Sequence, residues 1–111
     1  MSKSLGKIVK INLGFCGHNE DDIGIQIIFK AGALLITHEK GFYDINKMDH
    51  NKRCEWTEAE RSERYSNIIV YTSNILRDAG KNSISELVGV PVELTFDKSI
   101  ITDWRVLTEV L

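Results

Sequence analysis

Proline is almost missing from this sequence, Pro91 being the only one among 111 residues. A chain so poor in proline, with 42% hydrophobic and 27% charged residues, has the composition of a folded domain and leaves little room for a disordered tail. Cysteine is also scarce: Cys16 and Cys54 are too few for a disulfide scaffold and are expected as thiols in a reducing compartment. No apolar run approaches the ~18 residues needed to cross a bilayer, and the Met1 to Gly6 start is short and polar. The reading is a cytoplasmic protein with no membrane partner. A basic excess is missing as well. Sixteen acids outnumber fourteen bases for a net charge of −2, which disfavours nucleic acid as a partner while leaving room for a local basic patch.

What is present fits one domain, residues 1–111, around one core. In residues 7–15 Val9, Ile11, Leu13 and Phe15 alternate with Lys10, Asn12 and Gly14, the period of a half-buried strand. The polar stretch from Cys16 to Asp22 is a loop by its glycine, asparagine and aspartates. Ile23, Ile25, Ile27 and Phe29 alternate again, so a hairpin is expected. The run after Gly32 reads as a third strand, bent or broken at Gly41, and residues 46–55 as a connection.

Thr57-Glu58-Ala59-Glu60 is a capping box and predicts a helix from Thr57. Tyr65, Ile68, Ile69, Thr72, Ile75, Leu76 and Ala79 follow at spacings of three and four as its apolar stripe, and Gly80 ends it. Ser83-Ile84-Ser85-Glu86 repeats the box and predicts a short turn of helix. Val92, Leu94 and Phe96 form a strand, Asp97-Lys98 the tip of a hairpin, and residues 99–107 its return, with two apolar faces overlapping. Segregated strands and helix predict an α+β fold: a largely antiparallel β-sheet with one long helix packed on it, a short second helix and a C-terminal β-hairpin.

Phosphate-cradling glycine loops, a nucleophile elbow and an HExxH motif are all missing, so no enzyme and no cofactor are expected. Cys16, His18, His50 and Cys54 could build a tetrahedral zinc site if their two loops met, but the spacing matches no finger pattern and free thiols with surface histidines are the simpler reading. Glu20, Asp21 and Asp22 lack the ligand order of a cation loop, and nothing aligns Glu20 with Asp44 as a catalytic pair. A nucleotide pocket would use flat rings to stack on bases and guanidinium forks to grip phosphate. The candidates are Phe42, Tyr43, Arg61, Arg64, Tyr65, Trp104 and Arg105, with Trp56 beside them; each also has a structural reading, in the core or on a solvated face.

The segments LGF, DIGIQIIFKAG and GFYDI, with SISELVGVPVELTFD and SIITDWRVL, resemble small bacteriophage anti-defence proteins, among them the anti-Thoeris sponges that sequester signalling nucleotides. In place of a glycine-rich stretch before Gly41, this chain carries ALLITHEK. The resemblance implies a phage-encoded, non-enzymatic inhibitor of bacterial immunity that binds a small cyclic nucleotide signal in the host cytoplasm. The alternatives are an inhibitor that binds a host defence protein directly and a small metal-binding protein. The apolar segments ALLI and WRVLTEVL further predict a homo-oligomer. On the terminal strand, Arg105 points away from Trp104 and is expected either to meet a ligand phosphate or to pair with Glu93.

Overall fold

The computed structural model describes residues 2–16, 22–43 and 57–111, with the backbone alone for residues 42 and 43. The fold is α+β: one antiparallel five-stranded sheet in the order β3-β2-β1-β4-β5, with a long helix across one face. Its first strand, β1 (Ser2–Cys16), starts earlier than its alternation predicts because the two halves serve different neighbours. Lys7–Cys16 pair with β2 (Asp22–Ala31), whereas Ser2–Lys7 pair with β4 (Pro91–Asp97) from the far end of the chain.

A bulge divides those halves. Ile8 lies opposite Phe29 and Lys10 opposite Ile28, so Val9 is an extra residue. This corrects the predicted face: the shift in period takes Val9 out of line and aligns fully buried Ile8 with Ile11, Leu13 and Phe15. Ile8 is held there by donating its amide to Val90 O at 3.0 Å and accepting from the Gly89 amide at 2.7 Å.

The third strand, β3 (Leu34–Tyr43), is continuous and pairs with β2 along its length. Gly14, Gly24 and Gly41 lie side by side across β1, β2 and β3. A Cβ on Gly24 would sit 2.2 Å from Lys40 O, so neighbouring backbones use the space that side chains would take.

The helix α1 (Glu58–Ala79) begins where the capping box places it, with the Glu60 amide donating to Thr57 Oγ1 at 3.1 Å. It ends at Gly80, φ 67°, where Lys81 N reaches Leu76 O at 3.0 Å. Ile68, Thr72, Ile75 and Ala79 are its buried residues, and the Thr72 hydroxyl is satisfied by Ile68 O at 2.8 Å. Ile69 departs from the predicted stripe and is 62% exposed, while Tyr71 packs against the core instead. The second capping box does not close. Ser83 makes no cap bond to the 3₁₀ turn Ile84–Leu87, its hydroxyl meeting Ser85 instead, and Glu86 accepts from Asn82 N.

The final hairpin turns at Lys98-Ser99, one residue beyond the predicted tip, since Asp97 still pairs with Ile100 of β5 (Ile100–Val106). A second bulge lies here: Thr95 faces Asp103 and Phe96 faces Ile101. Thr102 is therefore the extra residue, and Ile101 joins Trp104 and Val106 on the core face. The overlapping apolar faces in the sequence are the signature of this bulge. Ile8, Ile25, Ile27, Phe29, Val92, Leu94 and Val106 form the sheet side of the core, closed by Ile75, Ala79 and Leu87. Each Val, Leu, Ile or Phe side chain among them, when fully buried, contributes ~1.5–3 kcal/mol.

Candidate functional site

A cleft of about 300 Å³ lies where β3, β5 and the second half of α1 meet. Strand alternation sends Ile36, His38 and Lys40 to the face that carries Phe29, Ile27 and Ile25, and the bulge at Thr102 turns Trp104 to that same face. From the helix, Tyr71, Asn74 and Asp78 complete the walls at spacings of three and four.

The rings form a chain. Phe29 and Trp104 lie 4.9 Å apart between centroids, Trp104 and Tyr71 6.4 Å apart edge to face, and Tyr71 and His38 6.5 Å apart. Trp104 Nε1 donates to the Tyr71 hydroxyl oxygen at 2.7 Å, and Lys40 Nζ stands 4.7 Å above the centre of the Tyr71 ring. Tyr71 accepts from the indole, so its own hydroxyl hydrogen remains a donor. Burial pushes the Tyr71 hydroxyl above its ordinary value, assisted by the charge of Asp103 and opposed by the indole hydrogen bond, so it stays protonated at neutral pH. Burial and then the Lys40 charge push His38 down. At neutral pH His38 is therefore an uncharged imidazole, and Lys40 carries the positive charge on the β3 wall.

Arg105 lines the rim of the cleft. Its Nε donates to Glu93 Oε1 at 3.1 Å and its Nη1 to both Glu109 oxygens at 3.2 Å, partners that raise its already high pKa. The guanidinium is thus occupied by two carboxylates; a ligand phosphate would compete with them.

No family model, curated protein or solved structure matches the chain.

The structure brings Trp104 and Arg105 together but not all seven predicted ligand residues. Arg61, Arg64 and Tyr65 lie in the first half of α1, and Tyr65 is six residues, ~9 Å of helix rise, before Tyr71. Arg61 is held by Glu58 Oε2 at 2.6 Å and stacks 5.3 Å from the Tyr65 ring centre. Tyr65 itself borders a different, apolar cavity of about 410 Å³ with Leu13, Ile23, Ile68 and Ile69. Phe42 and Tyr43 end β3 opposite Ile23 and Asp22, and their side chains lie outside the described ones, as does Trp56.

Of the zinc candidates, His18, His50 and Cys54 lie outside the described residues, as do Glu20, Asp21 and Asp44. Cys16 is buried, and its thiol is pushed up by burial and by the charges of Glu39 and Asp22. Among the described residues no three His, Cys, Asp or Glu side chains gather to hold a metal. Nor is any helix there long and apolar enough to cross a membrane.

His38, Lys40 and Tyr71 are the residues that sequence reading missed. A signal was present for two of them: in ALLITHEK the positions that alternate with Leu35, Thr37 and Glu39 are Ile36, His38 and Lys40, polar groups on the face that should be core. Tyr71 lay one position outside the assigned stripe.

Proposed function

We propose that the protein is a non-enzymatic binding module that holds a small nucleotide signal in the cleft between β3, β5 and α1. One observation carries this reading: the Lys40 ammonium poised 4.7 Å over the Tyr71 ring inside an aromatic-walled cleft of about 300 Å³. Tyr71 and Trp104 offer a stacking platform for a base, and Lys40 and the Tyr71 hydroxyl offer a charge and a donor for phosphate oxygens. The volume is at the small end of ligand sites and suits one base with its phosphate. The homo-oligomer expected from the apolar segments ALLI and WRVLTEVL belongs to the same reading. The resemblance to anti-Thoeris sponges supports a cyclic nucleotide as ligand and a phage inhibitor of host immunity, acting in the host cytoplasm, as the biological setting. Arg105, paired with Glu93 on the face of the sheet away from Trp104, would serve, like Phe42, Tyr43, Arg61, Arg64 and Tyr65, only a ligand that extends beyond the cleft.

The test is retention of cyclic ADP-ribose isomers and cyclic dinucleotides by the purified protein, measured by calorimetry. Lys40→Ala and Tyr71→Ala should abolish retention, and Arg105→Ala should weaken it only for a ligand that extends beyond the cleft, with the melting temperature nearly unchanged. Binding that persists in both Lys40→Ala and Tyr71→Ala, or no retention of any member of the panel, rejects the reading. In its place would stand direct binding of a host defence protein, for which the apolar cavity beside 62%-exposed Ile69 is the natural surface.

A further inference from the structure

The sheet face opposite α1 groups four lysines on β1 and β2, with Glu39 of β3 and Glu93 of β4 sharing that face. Lys7 and Lys30 are direct cross-strand partners on β1 and β2, and directly opposed like charges, with Cβ atoms ~5 Å apart, destabilise a sheet. Lys3 lies on the same face by the period of two. The bulge at Val9 brings Lys10 there as well, opposite Ile28 in the row of Lys30. All four are exposed. Lys3 approaches Glu93 at 3.7 Å, but among the described residues no acidic side chain pairs with Lys7, Lys10 or Lys30.

Leucines stand among these lysines. Leu35 is the β3 partner of Lys30, and Leu5 precedes Lys7 by one alternation; they are 68% and 69% exposed. Leu5, Lys7, Lys30 and Pro91, with three glycines, line a shallow depression of about 460 Å³ there.

We infer that this face docks on an anionic lipid surface, with Lys3, Lys7, Lys10 and Lys30 at the headgroups and Leu5 and Leu35 entering the acyl boundary. Lysine supplies charge attraction to acidic headgroups, and exposed leucine supplies the apolar term that a peripheral protein needs to stay bound. The lysines alone would suit any polyanion. The leucines decide for lipid, because they insert into acyl chains but give bases no face to stack on. A second copy of this chain fits less well, since a two-fold contact centred here would set lysines against lysines. The protein lies on the bilayer in this arrangement and does not span it, so the inference departs from the sequence expectation of no membrane partner, which rested on the lack of a spanning run.

Co-sedimentation with phosphatidylcholine vesicles, with and without phosphatidylserine, tests the inference. The protein should pellet with the phosphatidylserine vesicles alone, and less so as salt is raised. Lys7→Glu should cut that binding about ten-fold or more. Because it replaces a like-charge pair by an opposite one, it should also unfold at no lower denaturant concentration than the parent, so loss of binding cannot be loss of fold. The double variant Leu5→Ser, Leu35→Ser should also bind about ten-fold more weakly, with its melting temperature unchanged. Failure to pellet, equal binding to both vesicles, or a leucine variant that binds like the parent overturns the inference. The last result would mark a face that reads charge alone, as a soluble acidic partner or a nucleic acid would require.

Discussion

Trp104 and Tyr71, thirty-three residues apart, are joined by a 2.7 Å hydrogen bond from the indole N–H to the phenol oxygen. The bond ties the C-terminal strand to the middle of the helix at the wall of the cleft. Tyr71→Phe keeps the ring and removes the acceptor, leaving a part-buried N–H without its partner. It should cost about 1 kcal/mol in denaturant unfolding. A variant as stable as the parent would show that water replaces the phenol.

His38 makes stability depend on pH. Its folded-state pKa lies below the ordinary 6.5, mainly through burial and secondarily through Lys40, so between the two values the unfolded chain binds the extra proton. Stability contributed by the neutral imidazole is fully present above about 6.5 and is lost as pH falls towards the lowered folded value. Melting temperatures taken from pH 7.5 down to pH 5 should fall more steeply for the parent than for His38→Gln. Parallel curves would rule out the effect.

Thr57→Ala removes the hydroxyl that accepts from the Glu60 amide and should destabilise the chain by about 1 kcal/mol, with a loss of helical circular dichroism at the transition temperature. A change of only a few tenths would mean that solvent caps this helix end adequately.

The turn Lys98-Ser99 has φ of 51° and 73°, left-handed at both central positions without a glycine or asparagine to ease it. This is the backbone sign pattern of a type I′ hairpin turn, for which Asn-Gly is the preferred pair. Lys98→Asn with Ser99→Gly should raise stability by about 1 kcal/mol, measured as a higher denaturant midpoint at unchanged slope. A lower midpoint would contradict the strain.

The local elements were largely determined by sequence, because each is fixed by groups within a few residues. Thr57, Glu60 and Gly80 bound the helix through hydrogen bonds and backbone φ in their own turns, and the alternation of Ile23 to Phe29 fixes which face of β2 is buried. The α+β class follows from their order. Tertiary structure decided the rest. The bulges at Val9 and Thr102 are set by pairing with strands far along the chain, and a single extra residue reverses which side chains meet the core. The pairing of Ser2–Lys7 with Pro91–Phe96 leaves no mark in local periodicity. The cleft depends on both. Trp104, Tyr71, His38 and Lys40 come from three elements, and no spacing in the sequence encodes their meeting. It arises because the sheet lies against one helix, and the free energy that selects this arrangement is burial of Ile8, Phe29, Leu94 and Ile75 in a common core.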